Sequence, residues 1–343
     1  MPKELPVPSH YNSEKVSQVW KVPYQDRAGE AEKWAEEHKI KPAAKDKFRL
    51  CLMPVDVQNT FCIPDFELFV GGRSGTGAVD DNRRLCEFIY RNLNSITEIC
   101  PTMDTHQAMQ IFHAVFLVNK EGEHPQPFTL ITTDDIQKGR WHFNEALCKD
   151  LEVDKDFGRR YLEHYVKQLH GGNKYELTIW PYHAMLGGIG HALVPAVEEA
   201  IFFHSIARYS QPDFQIKGNN AWTENYSVLS PEVLDDQEGN PIAYRNTTFV
   251  QKLLQFDAVI IAGQAKSHCV AWTIEDLLQS IRRSDIQLAK KVYLLEDCMS
   301  PVVIPGIIDY TDDADKAFQK FADAGMNIVR STEPMANWPG MKS

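Results

Sequence analysis

The fold is restricted most strongly by the apolar run FDAVIIAG at residues 256–263, which ends at a glycine and leads into a helical pattern. An almost continuous apolar run of this length is typical of a strand that is buried on both faces. The pattern that follows repeats Val270, Ile274, Leu277 and Ile281 at steps of 4, 3 and 4, as one face of a helix requires. This strand and helix predict one unit of a parallel sheet.

The same alternation of strand and helix recurs along most of the chain. Strand-like segments occur at residues 49–55, 96–106, 176–183, 213–218, 290–298 and 326–332. Amphipathic helical segments occur at residues 83–96, 193–206 and 313–325. This order predicts an α/β fold with a doubly wound, mainly parallel sheet that carries helices on both faces.

The pattern also divides the chain into segments. Residues 1–48 are polar and predict an N-terminal extension, and residues 49–335 predict the main domain. Two stretches, at about 120–175 and 226–250, interrupt the alternation and indicate insertions. Loops of that length are often functional or form interfaces. Residues 336–343 are predicted to be a tail.

Composition excludes several classes of protein. The 343 residues include 36 basic and 47 acidic side chains, a net charge of −11, so we predict no binding to nucleic acid. No stretch approaches the roughly 18 uninterrupted apolar residues of a membrane helix, and the start lacks the apolar core of a signal peptide. Seven scattered cysteines without a CxxC pair indicate free thiols in a reducing compartment. We therefore expect a cytoplasmic protein without membrane association.

Polar residues follow several of the predicted strands, at the edge of the sheet where ligands bind in doubly wound folds. These residues are Asp56, Asp104, His106, Lys217, Cys269 and Asp297. Taken singly, each has an ordinary explanation as a core thiol, an edge charge or a helix cap.

Three of these residue types together suit covalent catalysis. A helix N-terminus and a nearby lysine would lower the pKa of Cys269 and produce a thiolate at neutral pH. A carboxylate alongside could take the thiol proton and pass it to a leaving group. An aspartate, a lysine and a cysteine therefore form a complete set for cleaving an amide or ester through an acyl-enzyme.

Five short motifs carry a family resemblance. In order and approximate spacing, VDVQNTF, MDTH, WPYH, FQIKG and AGQAKSHCV resemble the signatures of the isochorismatase-like cysteine hydrolases, and most of all those of nicotinamidases. The resemblance spans about residues 49–332 and implies the isochorismatase-like hydrolase fold. It implies an amidohydrolase that converts nicotinamide to nicotinate and ammonia through a thioester, which would place the protein in NAD salvage and pyridine nucleotide biosynthesis.

The resemblance also implies roles for individual residues. Asp56 would be the general acid and base, Lys217 the stabilising cation and Cys269 the nucleophile. The family has a cis peptide bond before the nucleophile, which corresponds here to Gln264–Ala265. The backbone N–H groups of Ala265 and Cys269 would then form the oxyanion hole.

A divalent metal site is implied by the DTH and WPYH motifs. Asp104, His106 and His183 would be the ligands of Zn²⁺, with Mn²⁺ or Fe²⁺ as alternatives, and the ion would hold the pyridine nitrogen of the substrate. From the residues alone, Asp104 and His106 could simply cap a helix, and His183 could be a loop histidine. His113 is a rival ligand that we rank as core or as support for the ligands.

The resemblance also implies which residues line the substrate pocket, although here the sequence departs from the family at two positions. Phe61 and Trp180 occupy the positions that pack against the ring in the family, although either could be ordinary core. His268 stands where many nicotinamidases have tyrosine, so that wall of the pocket departs from the family. Ala184 replaces a cysteine that commonly follows the WPYH histidine.

Two other functions stay open at this point. The first is a related cysteine hydrolase that acts on a different small amide. The second is a non-catalytic descendant that binds a metabolite or partner through its long insertions. For the hydrolase, the expected partner is a small-molecule amide substrate, and because relatives are often oligomers a homo-oligomer is also open.

Overall fold

The computed structural model describes residues 3–172 and 174–341. Its strands are β1 Leu50–Val55, β2 Glu98–Ile99, β3 Thr102–Asp104, β4 Leu117–Val118, β5 Leu130–Ile131, β6 His142–Phe143, β7 Leu177–Thr178, β8 Gln215–Lys217, β9 Ala258–Gly263, β10 Val292–Leu295, β11 Val303–Ile304, β12 Ile308–Asp309 and β13 Asn327–Val329. Its α-helices are α1 Tyr24–Glu37, α2 Asn59–Cys62, α3 Gly77–Arg91, α4 Thr133–Gln137, α5 Lys155–Gly171, α6 Pro195–Arg208, α7 Thr247–Leu254, α8 Ala271–Ser284 and α9 Thr311–Asp323.

A parallel sheet forms the centre of the fold, with the strand order β13-β10-β9-β1-β2. Every residue of β1 and β9 is buried, as expected of strands covered on both faces. Strands β3 and β8 form a separate two-stranded parallel sheet that lies beside the end of β1. The Asp56 N–H donates to the Thr102 carbonyl at 3.2 Å, which holds β3 against that end.

Helices cover the sheet, which confirms the predicted fold class. Helix α6 packs against α1 and α3, and α8 packs against α9. Helix α3 buries Leu85, Phe88 and Ile89, three of the positions in the helical pattern at residues 83–96. Helix α8 buries Ile274, Leu277 and other residues of its apolar stripe.

Two strand predictions differ from the structure. The segment at residues 96–106 forms two short strands, β2 and β3, which are separated by Cys100 and Pro101. Proline has no N–H to give to a ladder, so the strand is interrupted there. The segment at residues 176–183 supplies β7, which pairs antiparallel with β5 outside the central sheet.

The segments that interrupt the alternation are folded. Helix α1 of the N-terminal extension packs on α6, where Arg27 Nε lies 2.9 Å from a carboxylate oxygen of Glu199. Residues 120–175 contain β5, β6, α4 and α5. All seven cysteines are free, in agreement with the sequence prediction. Within the part of the chain that the structure describes, no helix is long and apolar enough to span a bilayer.

Stability is expected to fall in mild acid because of the fully buried His204 on α6. Its Nε2 lies 2.9 Å from the Ile96 carbonyl oxygen, and burial together with nearby Arg208 lowers the pKa of His204 to about 4. The unfolded chain binds a proton near pH 6.5 and the folded chain does not. The free energy of unfolding should therefore drop by about 3 kcal/mol as the pH falls from 6.5 to 4 through this group alone.

Urea unfolding of the wild type and of His204→Gln at several pH values measures this contribution. Glutamine can keep a donor for the Ile96 carbonyl but does not titrate, so its curve should be flatter between pH 6.5 and 4. Parallel curves for the two proteins would contradict the assignment.

Candidate active site

The ends of three strands bring the predicted catalytic residues together. Asp56 directly follows β1 in the left-handed region, with φ of 48°, a conformation that aspartate tolerates better than most residues. Lys217 is the last residue of β8 and pairs in register with Asp104, the last residue of β3. Cys269 lies in a π-helical turn, Lys266–Val270, between β9 and α8.

Lys217 is the centre of this cluster. Its Nζ lies 2.9 Å from Asp56 Oδ2, 2.8 Å from Asp104 Oδ1 and 3.6 Å from Cys269 Sγ. It also donates to the Asn225 carbonyl at 2.9 Å. All four side chains, those of Lys217, Asp56, Asp104 and Cys269, are buried, so one cation is shared by two carboxylates and a thiol away from water.

The charges of this cluster are strongly coupled. Burial lowers the pKa of Lys217, but the carboxylates of Asp104 and Asp56 outweigh it and hold that pKa well above its usual value. Burial raises the pKa of Asp56, while Lys217 and a hydrogen bond from the Thr102 hydroxyl oppose the rise. Lys217 is therefore a permanent cation beside a carboxylate of increased basicity.

The predicted thiolate at Cys269 is wrong for this arrangement. Burial raises the pKa of Cys269 well above its usual value, because the opposing effect of Lys217 is smaller and Asp56 and Asp104 add to the rise. The sequence-based prediction considered only the helix dipole and the lysine. It did not include the burial of Cys269 or the two nearby carboxylates, which raise the pKa of the thiol. The resting cysteine is consequently a thiol that needs a base to remove its proton.

The three predicted metal ligands also converge. Asp104, His106 and His183 are buried, and each offers a ligand atom within 4.8 Å of the others. Asp104 Oδ2 lies 2.8 Å from His106 Nε2 and 3.6 Å from His183 Nε2, while its other oxygen binds Lys217. Gly218 permits this crowding, since a Cβ at that residue would lie 2.7 Å from Asp104 Oδ1.

Both imidazoles direct Nε2 towards Asp104, because each Nδ1 bonds a backbone carbonyl. The His106 Nδ1 lies 2.9 Å from Gly218 O, and the His183 Nδ1 lies 2.7 Å from Pro181 O. With a proton on Nδ1, each Nε2 presents a lone pair to a negative oxygen, an arrangement that a cation between them stabilises. One carboxylate and two such imidazoles fit a divalent transition-metal ion such as Zn²⁺.

Several solved structures are similar to this chain in fold. No protein-family model matches the chain, and no curated protein matches its sequence. The nicotinamidase/pyrazinamidase of Acinetobacter baumannii superposes with a TM-score of 0.51 at 20% identity, over 84% of this chain and 99% of that one. The chain has the isochorismatase-like hydrolase fold.

Two further similar structures carry related names. The yeast nicotinamidase has a TM-score of 0.48 at 18% identity, over 82% of this chain and 99% of the yeast chain. A pyrazinamidase of Pyrococcus horikoshii in complex with zinc has a TM-score of 0.43 at 16% identity, over 82% and 99% of the two chains.

In this isochorismatase-like fold, Cys269 lines a small pocket. Phe61, Trp180 and His268, the three predicted pocket residues, all line it together with Ala265. The Gln264–Ala265 peptide bond is cis, as the resemblance implies. The pocket therefore joins the thiol, the metal-ligand cluster and an aromatic wall.

Glu224 is a pocket residue that the sequence did not reveal. It is buried beside Asp104 and His106, and its carboxylate accepts a hydrogen bond from the Asn225 N–H at 2.7 Å. Burial raises the pKa of Glu224 to about 7, although His106 opposes the rise. No motif marks this residue, and only its position seven residues after Lys217 could have drawn attention to it.

The insertion at residues 120–175 supports two walls of the pocket. From α5, the Tyr165 hydroxyl accepts a hydrogen bond from the Glu224 N–H at 3.1 Å. From the end of the insertion, the Tyr175 hydroxyl donates to the Ser267 carbonyl at 2.9 Å, and its ring packs 4.7 Å from that of His268. Both contacts come from outside the motifs of the resemblance.

Two other candidates lie apart from the reacting groups. Asp297 accepts hydrogen bonds from the N–H and hydroxyl of Ser331 at 2.8 Å each, so it stabilises the end of β13. His113 is fully buried, with its ring centroid 5.8 Å from that of His106 and 6.3 Å from that of His183. It packs against the rings of His106 and His183, in agreement with the sequence-based interpretation of His113 as a core or supporting residue.

Proposed function

We propose that this protein is a cysteine-dependent hydrolase of small ring carboxamides that converts nicotinamide to nicotinate and ammonia. The proposal is carried by one observation: Asp56 and Cys269, from distant parts of the chain, both lie within 3.6 Å of the Lys217 ammonium group. With nicotinamide as the substrate, the product would be a precursor for pyridine nucleotide biosynthesis.

The first half of the reaction forms a thioester. Asp56 takes the proton of the Cys269 thiol, and the new Cys269 thiolate attacks the carboxamide carbon. Lys217 stabilises the negative charge as it moves from the carboxylate to sulfur. The backbone N–H groups of Ala265 and Cys269 are the proposed donors to the oxyanion. The C–N bond then breaks, and the nitrogen leaves as ammonia with the proton that Asp56 holds.

The second half releases the acid. Asp56, again a carboxylate, removes a proton from a water molecule, and the resulting hydroxide attacks the thioester carbon. The C–S bond breaks, the carboxylic acid product leaves and the proton returns to the Cys269 sulfur. One water is consumed, one ammonia and one carboxylic acid are produced, and the enzyme is restored to its resting thiol.

The ring of the substrate is held at two sides. Asp104, His106 and His183 would hold a divalent ion, Zn²⁺ first, which when bound supplies an electrophile for the ring nitrogen. Phe61 and Trp180 offer apolar faces to the ring. Such positioning places the carbonyl carbon over the Cys269 sulfur and removes the entropy cost of finding that orientation.

Metal removal tests the ligand cluster and the substrate class together. We expect the protein to release ammonia from nicotinamide, and dialysis against a chelator to reduce kcat/KM by at least about tenfold, because the ring nitrogen loses its partner. Addition of Zn²⁺ should restore activity. A chelated protein whose kcat/KM and metal content are both unchanged would not decide the matter, so metal content is measured in every sample.

A metal-free protein with full activity would remove the ion from the proposal. Absence of ammonia release from nicotinamide and from every other small amide tested would instead favour the non-catalytic alternative. Release from another amide with none from nicotinamide would keep the chemistry and change the substrate.

A further inference from the structure

The side chain of Gln264, the residue directly before the proposed oxyanion donor Ala265, is held at both ends. Gln264 is fully buried; its Nε2 donates to Asp81 Oδ2 at 2.9 Å, and its Oε1 accepts from the Ser300 N–H at 3.2 Å. A carboxylate can only accept and a backbone N–H can only donate, so the amide has one orientation. The Gln264 N–H also donates to the Val55 carbonyl at 2.8 Å, so backbone and side chain are fixed together.

Ala265 is the residue whose position these contacts control. It lines the pocket beside Cys269, and among the described residues its backbone N–H has no hydrogen-bond partner. Its carbonyl accepts from the His268 and Val270 N–H groups at 3.0 and 3.2 Å, so the turn that carries the nucleophile holds one side of the residue. The other side is the peptide group shared with Gln264, and this peptide carries the free N–H. The side-chain contacts of Gln264 therefore bear on where that N–H lies.

Asp81, on the second turn of α3, is the charged partner of Gln264. It is 3% exposed, and its other oxygen, Oδ1, accepts from Arg84 Nη2 at 2.9 Å. Burial raises the pKa of Asp81 to about 6, although hydrogen bonds from Ser300 and Gln264 oppose the rise, so the side chain is a carboxylate at pH 8. A charged acceptor binds an amide donor more strongly than a neutral one does. Asp81 therefore holds the Gln264 amide more firmly than an uncharged residue would.

Ser300 contacts the chain on both sides of the same peptide. Its N–H donates to the Gln264 side chain, and its carbonyl accepts from the Lys266 N–H at 2.8 Å. Helix α3 lies directly against it, because a Cβ at Gly77 would be 2.8 Å from Ser300 Cβ, closer than side chains tolerate. The same helix thus reaches Ser300 through Gly77 and Gln264 through Asp81.

We propose that Asp81 is a positioning residue for amide hydrolysis, which acts through the Gln264 side chain to hold the Ala265 N–H where the oxyanion forms. This inference rests on the proposed function and adds to it a residue outside the five motifs. The described residues that line the pocket do not include Asp81, so it acts without touching the substrate. Because the oxyanion exists only after the thiolate has attacked, loss of this hold should lower kcat and leave KM nearly unchanged.

Replacement of Asp81 by leucine, which is similar in size but has no acceptor, tests the proposal at pH 8. We expect Asp81→Leu to lower kcat for nicotinamide by about tenfold or more, with KM within about threefold of the wild type. If another small amide is the substrate, the same measurements are made with that amide and its aldehyde analogue.

The aldehyde analogue of nicotinamide, pyridine-3-carbaldehyde, gives a second measurement. The Cys269 sulfur bonds to its carbonyl carbon, the C=O double bond becomes a single bond, and the thiol proton passes to the oxygen. The resulting thiohemiacetal places an oxygen at the proposed oxyanion donors without any leaving group. Its inhibition constant should rise in Asp81→Leu by about the factor by which kcat falls.

Two variants serve as controls. Asp81→Asn keeps a side-chain oxygen that can accept from Gln264 Nε2, so it should retain most of kcat. Arg84→Met removes the contact at the other oxygen of the same carboxylate and should leave kcat within about twofold of the wild type. Thermal melting confirms that each variant is folded. If Asp81→Leu does not fold, Gln264→Met breaks the same hydrogen bond with a side chain of similar shape and should show the same loss in kcat.

A double variant tests whether Asp81 acts through Gln264. Adding Asp81→Leu to Gln264→Met should lower kcat by no more than about a further twofold. Losses that multiply, a kcat in Asp81→Leu within about twofold of the wild type, or an unchanged aldehyde inhibition constant would overturn the role of Asp81 and leave the hydrolase intact. A wild type that releases ammonia neither from nicotinamide nor from any other small amide would overturn the proposed function, and this inference with it.

Discussion

Cys269→Ala is expected to abolish amide hydrolysis, with a loss in kcat on the order of 10⁴-fold or more, because no other group can form the thioester. The fold should persist. The side chain lies at the pocket wall and is 7% exposed, so its loss should change the free energy of unfolding by about 1 kcal/mol. Ammonia release under saturating substrate and thermal melting of the same sample measure the two effects.

Cys86→Ala is the matched control for this experiment. Cys86 is fully buried on α3, and it takes no part in the site. The same substitution there should leave kcat within about twofold of the wild type, since most core changes act on stability alone. Substantial turnover in Cys269→Ala would contradict the assignment of Cys269 as the nucleophile, and with it the thioester mechanism.

Lys217→Met should destroy both activity and stability. The ammonium group lies 2.9 Å from Asp56 Oδ2 and 2.8 Å from Asp104 Oδ1, and all three side chains are buried. Its removal leaves two buried carboxylates facing each other without a cation, which should cost about 3–5 kcal/mol of the free energy of unfolding. Urea denaturation at pH 7 measures this loss, and the accompanying loss in kcat should exceed about 100-fold.

Lys252→Met provides the comparison, because Lys252 also bridges two carboxylates, those of Glu98 and Asp213. Its side chain is 32% exposed, so water screens these pairs and their loss should cost about 1 kcal/mol or less. Activity should be unchanged. Equal destabilisation by the two substitutions would mean that the buried lysine is not held by its carboxylates as described.

The sheet and the convergence of the reactive residues were accessible from the sequence for a physical reason. A run such as residues 256–263 can be stable only when both faces are covered, and parallel strands then place their carboxyl ends at one edge. Asp56 follows the buried strand β1, Cys269 follows the buried strand β9, and Lys217 is the last residue of the short strand β8, so the carboxyl ends of parallel strands bring the three together. The pairing of Asp104 with Lys217 depends on the register of β3 and β8, which no local pattern specifies.

The protonation state of the site could not be predicted from the order of strands along the sequence. Cys269 is a resting thiol because burial and two nearby carboxylates together outweigh a lysine, and each of these influences comes from a different strand end. Glu224 was missed because it lies in a loop whose path is set by contacts with α5.

The contacts of Tyr165 and Tyr175 have a consequence for any attempt to shorten this protein. Both tyrosines lie in residues 120–175, and they hold the backbone that carries Glu224 and Ser267. Deleting that segment would remove both hydrogen bonds at once, even though every residue of the five motifs remained. We therefore expect amide hydrolysis, if ammonia release is measured for the full chain, to be lost in a chain that lacks residues 120–175, because the backbone of Glu224 and Ser267 loses these hydrogen bonds.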